Sequence, residues 1–325
     1  MYSTKLLTLE DYEKFELIYD DFCAKAKKEY NFELDPIDYD GFLDSVEKGF
    51  IDCIVLYDNH RLVGFLVYTT AISEAIELNI IHCTEQENYI SHARELLKKF
   101  LELTIETRKQ KIVCYPMLGN QKELIGSVVR EGFQFVGIEV LRFMMHGTES
   151  KDLFSRARIT ELPQNYKVVR WDDKYFDDAV RVIQESFKDS SDALFDPRFK
   201  TLSGCADIIT KVVKDVYAKF LPEATSVLLY NEKPVGFSFM NITHNTIVNI
   251  PLVGVTNEHQ GKGLSTIMLK RSMDEIINNR VMSNVTEINT TTETNNLQAL
   301  RLYKNLGFIE DYNYPQAYLQ KSNLR

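Results

Sequence analysis

The chain lacks most of what would tie it to a membrane, a metal or a nucleic acid. No stretch approaches the roughly 18 consecutive apolar residues that a bilayer span needs. The amino terminus turns acidic at once (Glu10, Asp11, Glu13), unlike the basic start of a signal peptide. Cations are in deficit: Lys and Arg total 38 against 47 Asp and Glu, a net charge of −9. Binding to nucleic acid needs clustered Lys and Arg to neutralise phosphates, so the charge argues against that class. The five cysteines (Cys23, Cys53, Cys83, Cys114, Cys205) are odd in number, far apart and set mostly in apolar runs. With no C-x-x-C pair and no clustered His, they predict buried thiols rather than disulfides or a metal site. What remains is the composition of a soluble cytoplasmic enzyme. At 325 residues it is long enough for two cores.

The most informative segment is Gln260-Gly261-Lys262-Gly263-Leu264-Ser265. It stands where an apolar extended run, Ile247 to Val255, gives way to a helical pattern starting near Leu264. Two glycines there let the backbone bend tightly and approach a ligand. The helix start adds unpaired N–H groups and a partial positive charge, and Lys262 adds a cation; all three suit a pyrophosphate. The segment is not a Walker A loop, because no Ser or Thr follows Lys262. It also lacks the third glycine of a dinucleotide fingerprint. Read alone, it fits a plain tight turn better than a phosphate site.

Downstream lies Asn295-Asn296-Leu297-Gln298-Ala299-Leu300-Arg301-Leu302-Tyr303-Lys304-Asn305-Leu306-Gly307-Phe308. An Asn caps this helix, leucines recur on neighbouring turns, and Gly307 ends it. Together the two segments resemble the GNAT superfamily of acyl-CoA-dependent N-acetyltransferases. Its signature is a strand, then Q/R-x-x-G-x-G/A at a helix start, then an N-x-x-A-x-x-x-Y-x-x-x-G-F helix. Gln260, Gly263, Asn296, Ala299, Tyr303, Gly307 and Phe308 match, and Ser265 replaces the small Gly or Ala.

The chain also repeats itself. Val55–Phe65 and Leu228–Phe237 both read as strand, polar turn, strand, with Gly64 and Gly236 standing 172 residues apart. Gly132-Phe133 answers Gly307-Phe308 at an offset of 175. Each half predicts strands alternating with helices and hairpins, hence a mixed sheet covered on both faces. The resemblance implies two tandem α/β (α+β) GNAT-like domains, each a mainly antiparallel sheet flanked by helices, with two central strands splayed into a cleft. In the second half those strands would be Thr246–Val255 and Val285–Thr291. A polar, turn-rich stretch sets the expected boundaries: residues 1–148 form one domain, 149–162 a linker and 163–325 the second. At the positions of Gln260, Gly261 and Gly263 the first half carries Asn88, Tyr89 and Ser91, and at Tyr303 it carries Val128. The first domain is therefore expected to be a degenerate copy, structural or substrate-shaping.

The resemblance implies acetyl-CoA as co-substrate, with no metal. Main-chain groups of Leu252, Val253 and Val255 would pair with pantetheine, and Gln260 to Ser265 would hold the pyrophosphate. Asn296 would meet pantetheine amides or simply cap its helix. Lys270 and Arg271 either reach the adenosine phosphate or lie on a solvent face. Tyr303 would protonate the departing thiolate as general acid. No Asp, Glu or His lies between Ile247 and Thr256, so either a water chain takes the amine proton or the base comes from elsewhere; Glu293 is the residue carried forward, with His244, Glu258 and His259 as other candidates. Acceptor recognition would fall to Ser190–Phe199 and Glu310–Tyr314. The expected reaction is transfer of an acetyl group to a primary amine of a small molecule or peptide, by a monomer or homodimer. A non-catalytic acyl-CoA sensor and a transferase of longer acyl groups are the alternatives.

Overall fold

A computed structural model of the chain describes residues 2–29, 37–71, 75–105, 110–119, 121–157, 161–279 and 282–320. The chain forms two compact units, Met1–Val136 with Tyr314–Arg325, and Gly137–Asn313. In order, the elements begin with β1 (Tyr2–Leu6), α1 (Tyr12–Glu29), α2 (Tyr39–Glu47), β2 (Asp52–Asp58), β3 (Arg61–Thr69) and β4 (Ala75–Cys83). There follow α3 (Tyr89–Ile105), β5 (Ile112–Pro116), α4 (Ile125–Arg130), β6 (Gln134–Met144) and α5 (Thr148–Arg156). The chain continues through β7 (Tyr166–Arg170), α6 (Phe176–Phe187), α7 (Asp192–Phe195), α8 (Leu202–Val213), β8 (Lys219–Phe220), β9 (Ser226–Tyr230) and β10 (Lys233–Ser238). It closes with β11 (Asn241–Thr243), β12 (Ile247–Asn249), β13 (Val253–Val255), α9 (Leu264–Ile277), β14 (Glu287–Glu293), α10 (Leu297–Asn305) and β15 (Ile309–Gln320).

In the first unit the strands run β1-β2-β3-β4-β5 and end on the tail of β15. The apolar run Cys53-Ile54-Val55-Leu56 is unbroken because both faces of the sheet are covered. Ile54 and Leu56 pack with Leu96, Leu97 and Phe100 of α3, while Cys53 and Val55 pack with Phe15, Ile18 and Phe22 of α1. Strands β4 and β5 are parallel, and they pair only over Ala75–Glu77 against Ile112–Cys114.

In the second unit β6, β14, β12, β11 and β8 form one run, and β13, β10, β9 and β7 another. Helices α6 and α8 cover one face through Ile183 and Ile209, which meet Phe237 and Phe239. Helices α9 and α10 contribute Leu269, Met273, Leu300 and Tyr303 to a second core with Leu141, Phe143 and Ile288. The segment expected as one strand, Thr246–Val255, is broken in two. β12 pairs in parallel with β14 as far as Asn249 and Asn289. The Ile250 N–H reaches the Asn289 carbonyl at 3.0 Å. Past Pro251, which has no N–H to donate, β13 turns to pair with β10. β14 runs on beside β6. The two parallel strands therefore part and leave a V-shaped cleft.

The paired glycines have a shared cause. A Cβ on Gly64 would stand 2.8 Å from the His82 carbonyl oxygen, and one on Gly236 3.2 Å from that of Gly254. Each lies at a register shift in its hairpin, pressed against the next strand.

The compact units divide the chain at other places than the expected boundaries. The polar composition of 149–162 suggested a linker, but α5 packs Phe154 edge-on against Phe143, ring centroids 5.6 Å apart. The halves also exchange strands. β6, placed by sequence order in the first domain, pairs with β14 along seven residues of the second unit. The end of β15, Gln316–Gln320, pairs with β5 of the first.

Arg142 on β6 binds Glu287 and Asp311, each at 2.9 Å. Glu287 is 6% exposed, so removing the guanidinium leaves a buried charge without its cation. Arg142→Met is expected to cost about 3 kcal/mol in denaturant unfolding, the low end for a broken buried pair because Asp311 keeps some solvent.

Candidate active site

The turn before α9 is held in a shape that only glycine adopts cheaply. Gly261 has φ +74° and Gly263 φ +73°. No atom lies within 4 Å of a Cβ built on Gly261, so the backbone angle, not crowding, selects glycine there. Leu264 is buried against Leu228, Val235, Val255 and Met268, which fixes the first turn of the helix. The first helical closure runs from the Ile267 N–H to the Gly263 carbonyl at 3.3 Å. The N–H groups of Leu264, Ser265 and Thr266 come before it, the ordinary donors of a helix start. Gln260 does not reach outward: its amide donates to the Val255 carbonyl at 2.9 Å and to Asn257 Oδ1 at 3.1 Å, stapling the turn to the end of β13. Lys262 is tethered too, donating to the Tyr166 hydroxyl at 3.3 Å and to the Glu258 carbonyl at 3.2 Å.

Strand β13 forms one wall of the cleft. It pairs with β10 through Gly254 opposite Phe237, with flanking bonds from the Phe239 N–H to the Leu252 carbonyl and from the Thr256 N–H to the Val235 carbonyl. Antiparallel pairing alternates, so the main-chain groups of Val253 and Val255 point away from β10, into the cleft. The Leu252 carbonyl does not, because β10 uses it. The Val255 carbonyl is taken by Gln260.

The opposite wall is β14 with α10. Asn296 caps α10, its Oδ1 accepting from the Ala299 N–H at 3.1 Å. Tyr303 is 6% exposed and lies edge-on to Phe308 at 5.3 Å. Burial raises its phenol above the ordinary tyrosine value; the hydroxyl of Thr290 opposes the shift and the charge of Asp192 adds to it. At the end of β14, Glu293 accepts a hydrogen bond from the Ser191 hydroxyl. Asp192 opens to solvent, yet loss of hydration at its carboxyl raises its pKa, opposed by Ser190 and reinforced by the like charges of Glu293 and Asp196. Thus Tyr303, Thr290, Asp192, Ser191 and Glu293 converge on one stretch of the cleft. Reading the sequence placed Asp192 only in an acceptor-binding turn; its effect on Tyr303, about a hundred residues away, left no local signal.

Several expected contacts are engaged elsewhere. Lys270 lies over the Phe154 ring, 3.2 Å from its centroid, and Arg271 donates to Ser226 at 3.1 Å. Neither fits the alternatives of phosphate contact or an exposed face. Asp311 pairs with Arg142, and Glu310 with Lys304 at 2.7 Å. Asp196 is clamped by Arg198 at 2.6 Å. His244 stands in the β11–β12 turn, at the end of β12 away from the parting strands. Among the described residues no group of three or more His, Cys, Asp or Glu is placed to hold a metal, and no helix is long and apolar enough to cross a membrane.

Residues 159–308 match the model of the acetyltransferase (GNAT) family. Over that stretch the chain is thus similar to the GNAT family. The whole chain is similar in structure to a GCN5-related N-acetyltransferase from Sphaerobacter thermophilus, with a TM-score of 0.62, 13% identity, and coverage of 98% of this chain and 96% of that one. It is similar also to a tandem GNAT protein from the clavulanic acid biosynthesis pathway, with a TM-score of 0.58, 12% identity, and 99% of each chain covered. At such identities the likeness is one of fold, and the fold is that of tandem GNAT domains. No curated protein sequence matches. The first unit repeats the GNAT layout down to its briefly paired parallel strands. In place of the glycine turn, however, it has Thr84 to Asn88, where the Tyr89 N–H bonds back to the Gln86 carbonyl at 3.4 Å as α3 begins.

Proposed function

We propose that the carboxyl-terminal GNAT unit moves an acetyl group from acetyl-CoA to a primary amine of a small molecule or peptide by direct attack. The observation that carries this reading is a single cleft with two left-handed glycines at one end and a buried phenol beside two carboxylates at the other. The residues fit the co-substrate. Open space at Gly261 and the N–H groups at the start of α9 suit a pyrophosphate, and the main-chain groups of Val253 with the N–H of Val255 suit the amides of pantetheine.

The amine nitrogen attacks the thioester carbonyl; a C–N bond forms and the C–S bond breaks. Tyr303, kept protonated by its burial, gives its proton to the departing thiolate. The proton lost by the amine passes to Glu293, or to Asp192 beside it. These carboxylates also favour a cationic acceptor at the mouth of the cleft. The first unit, without the glycine turn, shapes or supports and does not bind CoA.

The test is release of free thiol from acetyl-CoA over a panel of primary amines, alongside calorimetric titration with CoA. Turnover with an amine is expected. Binding without turnover on any amine or any acyl length would favour the sensor. Gly261→Val should weaken CoA binding about tenfold or more, since a β-branched residue there costs on the order of 1–3 kcal/mol of backbone strain. Unchanged affinity in that variant would remove the turn from the site.

A further inference from the structure

Lys262 and His259, on either side of Gln260, both end on one oxygen. The Tyr166 hydroxyl lies 2.6 Å from His259 Nδ1 and 3.3 Å from Lys262 Nζ. Tyr166 opens β7, directly opposite Tyr230 on β9. Its ring packs on Tyr230 at 4.8 Å, and the His259 imidazole packs on Tyr230 at 4.9 Å and edge-on to Tyr166 at 5.6 Å. The Lys262 ammonium is also 5.9 Å from the Tyr166 ring centroid. A residue almost a hundred positions upstream thus holds both the Lys262 and the His259 side chains.

The proton inventory gives this contact a direction. Lys262 has donors only, so the Tyr166 oxygen accepts from it. The Tyr166 O–H then finds its acceptor in His259 Nδ1, the arrangement that leaves neither group unused. An imidazole accepting at Nδ1 carries its proton on Nε2 when neutral. His259 can therefore offer a ligand a donor and not an acceptor, beside a lysine that is also a donor. Both are suited to phosphate oxygens.

Resting on the acetyl-CoA reading, we infer that Tyr166 is a positioning residue for the CoA phosphates. Its hydroxyl presets Lys262 and His259 beside the glycine turn, while its ring, with Tyr230, keeps the imidazole in place. The grip acts on the phosphorylated end of the donor and on nothing at the thioester.

Tyr166→Phe removes one oxygen and keeps the ring stack. With acetyl-CoA, KM should rise about fivefold, the worth of one hydrogen bond, and kcat should stay within about twofold. With S-acetylpantetheine, which has no phosphates, kinetics should be unchanged. Lys262→Gln should show the same selectivity, and in that background Tyr166→Phe should cost less than it does alone, because part of its effect runs through Lys262. Equal losses with both donors would mean a merely structural role, and no loss with acetyl-CoA would mean no role; either overturns the inference. Should Tyr166→Phe not fold, the Lys262→Gln comparison of the two donors decides in the same way. If wild-type protein takes up no CoA in calorimetry, the proposed function fails first and this inference falls with it.

Discussion

Replacing Tyr303 with phenylalanine should lower kcat by about 10²–10⁴-fold while leaving CoA affinity near that of the parent protein. The proton at issue must reach a sulfur that becomes charged only as the C–S bond breaks, so its loss falls on the chemical step and not on donor binding. Packing changes little. The ring stays edge-on to Phe308, and the variant forfeits one bond to Thr290, worth about 1 kcal/mol of stability. The direction of the phenol's shift fixes the pH behaviour. Burial raises its folded value above the ordinary 10, so the acid form holds through neutral and mildly alkaline pH, and its ionisation can shape only a strongly alkaline limb. An acid limb, by contrast, belongs to Asp192, whose carboxyl is raised by loss of hydration, and it should survive Tyr303→Phe. Full kcat in the variant would end the general-acid assignment; loss of CoA affinity in proportion to kcat would reassign the phenol to binding.

What could be read from the sequence was local in the chain. Left-handed glycines at Gly261 and Gly263, the Asn296 cap and the leucine spacing of α10 each act within a turn or two, so their residue types disclose them. The tandem layout was legible because a duplication repeats such local signals at a fixed offset. The details that set the site's chemistry are contacts over long separations. Arg142 meets Glu287 and Tyr166 meets His259 through sheet register, which periodicity does not encode. Asp192 acts on Tyr303 for the same reason. Polar composition misled at 149–162 because one buried ring, Phe154, is enough to dock a helix whose other side chains are mostly polar. Helix position misled at Lys270, whose stem lies along its own unit so that the ammonium settles on Phe154 rather than on a ligand.

A fragment cut at the boundary suggested by composition, residues 163–325, should fail to fold, whereas residues 137–313 should give a cooperative unit. β14 depends on β6 for all seven of its paired residues. Its other neighbour, β12, leaves it after Asn289. Without β6, Thr290 to Glu293 would have no strand on either side, and these residues carry the Thr290 and Glu293 groups that face Tyr303 and Ser191. The same cut removes Leu141, Phe143, Met145 and Phe154 from one core cluster. At about 1.5–3 kcal/mol for each buried side chain, that loss is roughly 6–12 kcal/mol. A domain's whole stability is about 5–15 kcal/mol, so little or nothing remains. The complementary fragment, 1–148, should be weakened less but in the same manner, because it lacks the end of β15 that pairs with β5 and brings Ala317 and Leu319 into the core. Far-UV circular dichroism and thermal melts of the three fragments would decide. A sharp transition for 163–325 close to that of the full chain would mean that the exchanged strands are dispensable. Restored folding when residues 137–162 are added back would identify β6 and α5 as the missing part of the second unit.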